Sequence, residues 1–141
     1  QTCALLISQG IRLNDAEKLL KKALALKPDN GYIQDSWGWH LFVRGRISEA
    51  VVELEKATRL KPNEPTILEH LADAYLRANL EEKAFARYRE AIRYAEDETT
   101  RSKLEGKARS LHQILVQKGK IPPTEYVSGS KVQDRVPAEN Q

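Results

Sequence analysis

The chain has 141 residues, 40% of them hydrophobic and 30% charged, with a net charge of +3 and a mean hydropathy of −0.59. That is one domain's worth of chain with ordinary globular composition, and no apolar run approaches the ~20 residues a membrane-spanning helix needs. A single cysteine, Cys3, excludes an internal disulfide, so cysteine usage does not fix a redox compartment; its expected role is packing.

In chain order, residues 1–9 read as the remainder of a helix that ends near Gly10. Because the pattern is already under way at Gln1, the first copy of the repeat described below looks trimmed, as in a piece of a longer repeat protein. Asn14 is placed to cap a second helix running to about Leu26, with Ala16, Leu19, Leu20, Ala23, Leu24 and Leu26 as its apolar side. Lys27-Pro28-Asp29-Asn30 stops it, because proline has no amide donor and forces the preceding residue out of the helical region. A helix is expected over about residues 32–44, closed by Gly45 in the left-handed conformation; Ser48 then caps a helix reaching about Leu60. Pro65 opens the next helix, over about 66–78, and Asn79 takes the turn position that glycine holds at 45. A helix over about 80–95 follows. The acidic stretch Glu96-Asp97-Glu98 marks the start of a last one, whose apolar residues Leu104, Ala108, Leu111 and Leu115 form one stripe. From Gly119 the pattern dissolves into a polar, Pro- and Ser/Gly-interrupted stretch, read as a disordered or loosely docked tail with a short docking candidate at Tyr126-Val127.

These elements repeat. Ala16, Ala50 and Ala84 are 34 residues apart, as are Leu20 and Leu54, Ala23, Ala57 and Ala91, Leu26, Leu60 and Tyr94, and Pro28 and Pro62. The third copy has Glu96 where the closing proline stood. A small residue on each first helix (Ala4, Gly38, Ala72) lies 12 residues before the alanine of the second, which lets two antiparallel helices approach closely. With Trp37-Gly38, Leu41, Gly45, Ala50, Leu54, Ala57 and Pro62 in one copy, and Leu71-Ala72, Tyr75, Asn79, Ala84, Tyr88 and Ala91 in the next, the chain resembles the tetratricopeptide repeat family over roughly residues 1–98. The resemblance implies an all-α solenoid of antiparallel helix pairs: a partial first repeat (1–30), repeats 31–64 and 65–98, and a C-terminal capping helix over 99–118 that covers the last apolar face. The segments Asp35-Ser36-Trp37-Gly38-Trp39 and Glu69-His70-Leu71-Ala72-Asp73-Ala74-Tyr75 look like bacterial multi-repeat scaffold proteins, many of them tied to the cell envelope; that leans toward the envelope or periplasm over the cytoplasm.

Catalytic motifs are missing from the sequence: there is no Gly-rich phosphate loop, no His-Glu-x-x-His and no locally supported Ser-His-acid set, so no enzyme and no cofactor is expected. Glu69, His70 and Asp73 on one helix are the best metal candidate, but they offer no second ligand pair and read as polar helix surface. The basic excess is confined to residues 99–118, where Arg101, Lys103, Lys107, Arg109 and Lys118 face only Glu105. No aromatics interleave with them as stacking on single strands would require, which disfavours nucleic acid.

In the family the first helices line a concave wall that binds partner peptides. Carried over by position, that wall holds Tyr32, Asp35, Trp39, Phe42 and Val43 from one copy and Thr66, Glu69, Asp73, Leu76 and Arg77 from the next. Trp37 already fills the usual packing position, so Trp39 is available as an anchor, since aromatics dominate interface hot spots. Members that clamp a C-terminal carboxylate carry Lys, Arg and Asn on these faces; Asp35, Glu69 and Asp73 here point instead to a basic or mixed segment or a partner helix. The expected function is a non-catalytic scaffold or adaptor, with self-assembly as the alternative.

Overall fold

The computed structural model describes residues 2–123, with side chains from residue 12 onward. The docking candidate at Tyr126-Val127, like the remainder of the tail, lies outside the described residues. Six helices follow in order: α1 (Thr2–Leu26), α2 (Gly31–Val43), α3 (Ile47–Leu60), α4 (Pro65–Arg77), α5 (Glu81–Tyr94) and α6 (Glu98–Gln117). No strand occurs among the described residues. Helices α2 and α3 form one antiparallel pair and α4 and α5 the next. Helix α3 packs on α4, α5 on α6 and α1 on α2, and α2 also touches α4.

The repeat residues make the core. Ala50, Leu54 and Ala57 are fully buried, as are their counterparts Ala84 and Ala91, with Tyr88 2% exposed. The close approach at the small residue is tight: a β-carbon on Gly38 would lie 2.6 Å from Leu54 Cγ and 3.2 Å from its backbone nitrogen. On α6, Leu104, Ala108, Leu111 and Leu115 are all buried against this core, as the stripe predicts.

Helix ends follow local chemistry. Gly45 and Asn79 have φ of +79° and +61°, and the amides of Arg46 and Leu80 bond back to the carbonyls of Leu41 and Tyr75. The same closure recurs after α6, with Gly119 at φ +69° and the Lys120 amide on the Leu115 carbonyl. This is the motif in which a left-handed residue lets later amides satisfy the last carbonyls. Pro65 occupies the first turn of α4. Asn30 and Asp97 cap α2 and α6, their side chains accepting from the amides of Ile33 and Thr100. The stretch after α6 begins in an ordered way: Lys118 and Lys120 pair with Glu81 and Glu82, and Ile121 packs against the core.

Four local expectations fail. The turn at Gly10 does not form, and α1 runs unbroken through it. Glycine costs a helix interior only about 1 kcal/mol relative to alanine, whereas the proline that ends α1 at its other end costs about 3. Asn14 is consequently no cap; its Oδ1 accepts from Arg44 Nη1 at 2.8 Å. Ser48 is no cap either, since α3 already starts at Ile47 with Arg46 before it and no side-chain cap bond; the Arg46 guanidinium meets Glu49 instead. Leu19 and Leu26, expected on the apolar side, are 68% and 74% exposed.

Candidate partner-binding face

A 34-residue step moves a side chain from one first helix to the matching place on the next, so α2, α4 and α6 present registered positions side by side. Asp35, Glu69 and Lys103 form one such row, and Trp39, Asp73 and Lys107 another. The structure links these rows. Between α2 and α4, His70 Nδ1 lies 2.8 Å from Asp35 Oδ1 and 3.1 Å from Oδ2, which places a proton on Nδ1. Between α4 and α6, Glu69 is held by Lys103 and Lys107, each at 3.1 Å, and Lys107 also reaches Asp73 at 3.0 Å. Tyr88 donates its hydroxyl to Asp73 from below.

The charges respond to this wiring. Burial opposes the Glu69 carboxylate, but the two lysines outweigh it and hold its pKa below the ordinary value. Burial likewise opposes the Lys107 ammonium, and Asp73 and Glu69 outweigh it, so its pKa is raised. Burial, reinforced by the bond to Asp73, pushes the Tyr88 phenol far up. On the opposite side of the helix pair, burial and the 2.6 Å bond to Glu55 push Tyr75 up to about 12. Opposite charges in contact favour both ionised forms, and at the Glu69 and Lys107 pairs that effect exceeds desolvation.

Of the residues expected on the wall, Trp39, Phe42 and Arg77 come together. Trp39 stacks on Phe42 with ring centroids 4.6 Å apart and on His70 at 4.2 Å, and the Arg77 guanidinium lies 5.5 Å from the Phe42 ring centre. Both Trp39 and Phe42 are half-buried, while Val43, Leu76 and Arg77 are exposed. Tyr32 stands apart at the start of α2, exposed, its hydroxyl donating to Glu64 at 3.3 Å with Lys61 over its ring. Thr66 is exposed. Asp35 and Glu69 are each only 8% exposed and already partnered.

His70 is the wall residue that sequence reasoning leaves out. It joins the Asp35 carboxylate to the Trp39 ring, and a step of one repeat plus one residue from Asp35 finds it. Lys103 and Lys107 are legible too: they stand one repeat after Glu69 and Asp73. The basic excess of α6 is therefore partly used inside the molecule, and Arg101 adds a 2.7 Å bond to the Ala95 carbonyl. Glu69, His70 and Asp73 each face a protein partner, and among the described residues no group of three His, Cys, Asp or Glu side chains is placed to hold a metal. No helix among them is long and apolar enough to cross a membrane.

A family model described as TPR repeat matches residues 40–79. No curated protein matches the chain. Among solved structures the chain is similar to PcrH in complex with the chaperone binding region of PopD, at 14% identity and a TM-score of 0.68, over 80% of this chain and 88% of that one. It is similar to the Yersinia enterocolitica type III secretion translocator chaperone SycD, also at 14% and 0.68, over 85% and 83%. It also resembles a chain of a type III secretion complex from Aeromonas hydrophila, at 16% and 0.66, over 85% and 80%. At these identities the likeness is one of fold.

Proposed function

We propose that this chain, a tetratricopeptide-repeat protein, is a non-catalytic adaptor that binds a partner peptide or helix across the wall made by α2, α4 and α6. Stacked helix pairs curve so that their first helices line the inner side, which makes this wall the natural receiving surface. The observation that carries the reading is the Trp39–Phe42 ledge, stacked on His70, half-covered, with the exposed Arg77 guanidinium over the Phe42 ring and exposed Leu76 one repeat after Phe42. Large aromatics in a partly desolvated setting beside a cation are what interface hot spots are built from. The structural relative PcrH, seen with a binding region of PopD, gives the fold a precedent for holding a partner segment.

The partner fitted by this wall is a mixed segment with an apolar anchor. Asp35, Glu69 and Asp73 stand where a carboxylate clamp carries Lys, Arg and Asn, so the donors such a clamp needs are absent from these positions. Since Glu69 and Asp73 are already neutralised by Lys103 and Lys107, they do not demand a strongly basic partner either. Recognition then rests on the aromatic ledge, with Arg77 available to an acidic side chain flanking the anchor.

Selection of a random peptide library on the immobilised chain tests this. Peptides carrying aromatic or aliphatic anchors are expected to enrich on the wild type and to be lost on Trp39→Ala and Leu76→Asp, with thermal melting of both variants near wild type. Enrichment that is equal on all three proteins would refute the wall as the site.

A further inference from the structure

His70 stands where the aromatic ledge meets the polar rows. Trp39 and Phe42 of α2 stack on each other, His70 of α4 stacks on Trp39, and Arg77 of α4 lies over Phe42. The two rings are thus held from α4 at two points. Arg77 stays charged at any working pH, whereas an imidazole ordinarily changes charge between about pH 5 and 8. The His70 ring lies 4.2 Å from Trp39, centroid to centroid, at 21° to its plane, while its Nδ1 is 2.8 Å from Asp35 Oδ1. Asp35 and Trp39 are one helical turn apart on α2, so a single ring engages both.

Among the charges around it, Asp35 is the one that answers to His70. On α4 itself Glu69 and Asp73 flank it, but Lys103 and Lys107 of α6 hold both, and Tyr88 of α5 donates to Asp73. On α3, Glu53 is bonded to Gln34 and Lys56. Arg77 is two turns further along α4. Neutral His70 donates an ordinary hydrogen bond to Asp35. Protonated His70 makes an ion pair there and sets a cation against the indole, the ring that attracts cations best. We infer that His70 is the positioning residue of the ledge: its protonation fixes Trp39 in the stacked orientation and tightens partner binding as pH falls through the histidine range. The sign follows from pre-organisation, because a ring already held in its receiving orientation loses less freedom on binding. The effect on binding rests on the wall being the receiving surface; the hold of His70 on Trp39 does not.

The test therefore has two arms. In the first, without peptide, tryptophan emission is followed from about pH 8 to about pH 5 in a Trp37→Phe background, which removes the indole stacked on His40. A protonated imidazole against an indole quenches it, so emission is expected to fall in a one-proton transition that is absent once His70→Gln is added. Constant emission, or the same transition without His70, would overturn the hold. In the second arm, the Kd of a library-selected peptide free of His, Asp and Glu and amidated at its C-terminus is measured at both ends of that range. Wild type is expected to bind it roughly 2–5-fold tighter at the acid end, and His70→Gln equally at both. Equal wild-type affinities, with binding still lost in Trp39→Ala, would overturn the pH effect and leave the wall as the site. Binding that survives Trp39→Ala at both ends would overturn the wall and the pH effect with it.

Discussion

Two glycines in helix interiors make opposite demands. At Gly38 an added methyl would drive into Leu54, whose side chain and backbone both stand in the way. Gly38→Ala is expected to destabilise the fold by about 1–3 kcal/mol, the usual cost of overpacking. Around Gly106 in the middle of α6 there is open space, so Gly106→Ala should add about 0.5–1 kcal/mol by helix propensity alone. Urea melts of the two variants read both signs. The first of these residues is legible in the sequence, because Gly38 falls at the small-residue position shared with Ala4 and Ala72. Individual partners are not. Nothing local in Asp35 or His70 announces the bond between them, which exists only once repeats stack. Asp35 for that reason is a folding residue as much as a surface one, and Asp35→Lys would test stability rather than recognition.

Among the elements, α6 does more than cover an apolar end. Its lysines complete the polar rows that α4 begins, so the α4–α6 seam has a pH signature. The Glu69 pKa lies below its ordinary value in the fold. Its contribution is therefore fully present above the unfolded carboxylate value and is lost as pH falls through the lowered folded one. Lys107 behaves in the opposite sense: with its pKa raised, its contribution is complete below the unfolded lysine value and lost as pH rises through the raised one. Melting temperature followed from pH 6 to pH 3 (~3 units, across the carboxylate range) should fall less steeply in Glu69→Gln than in wild type. Parallel curves would mean that the Glu69 pairs do not contribute. At this scale the sequence is legible wherever a strong local signal acts: Pro28, Pro62 and Pro65, Gly45, Asn79, and the acidic start of α6. It misleads where the signal is weak. Gly10 has no proline beside it and does not force a turn, and Ser48 is only one of several residues near a helix start that Arg46 already precedes.

In the whole molecule, the 34-residue period makes the all-α pairing readable from the sequence, because each copy must bury the same positions against its neighbour. What the period does not carry is the use of the surface. The charges expected to make an acidic groove are paired between helices, and the Trp39–Phe42 ledge is the surface we propose for recognition. The most direct measurement is an anisotropy titration of one library-selected, fluorescently labelled peptide against wild type, Trp39→Ala, Leu76→Asp and Val52→Ala. Val52 is exposed on α3, away from the wall. A hot-spot loss of about 2 kcal/mol corresponds to roughly a 30-fold rise in Kd for Trp39→Ala. Leu76→Asp should weaken binding as well, and Val52→Ala should leave it unchanged. Equal affinities for wild type, Trp39→Ala and Leu76→Asp, with all melting alike, would contradict the assignment of this wall as the binding surface.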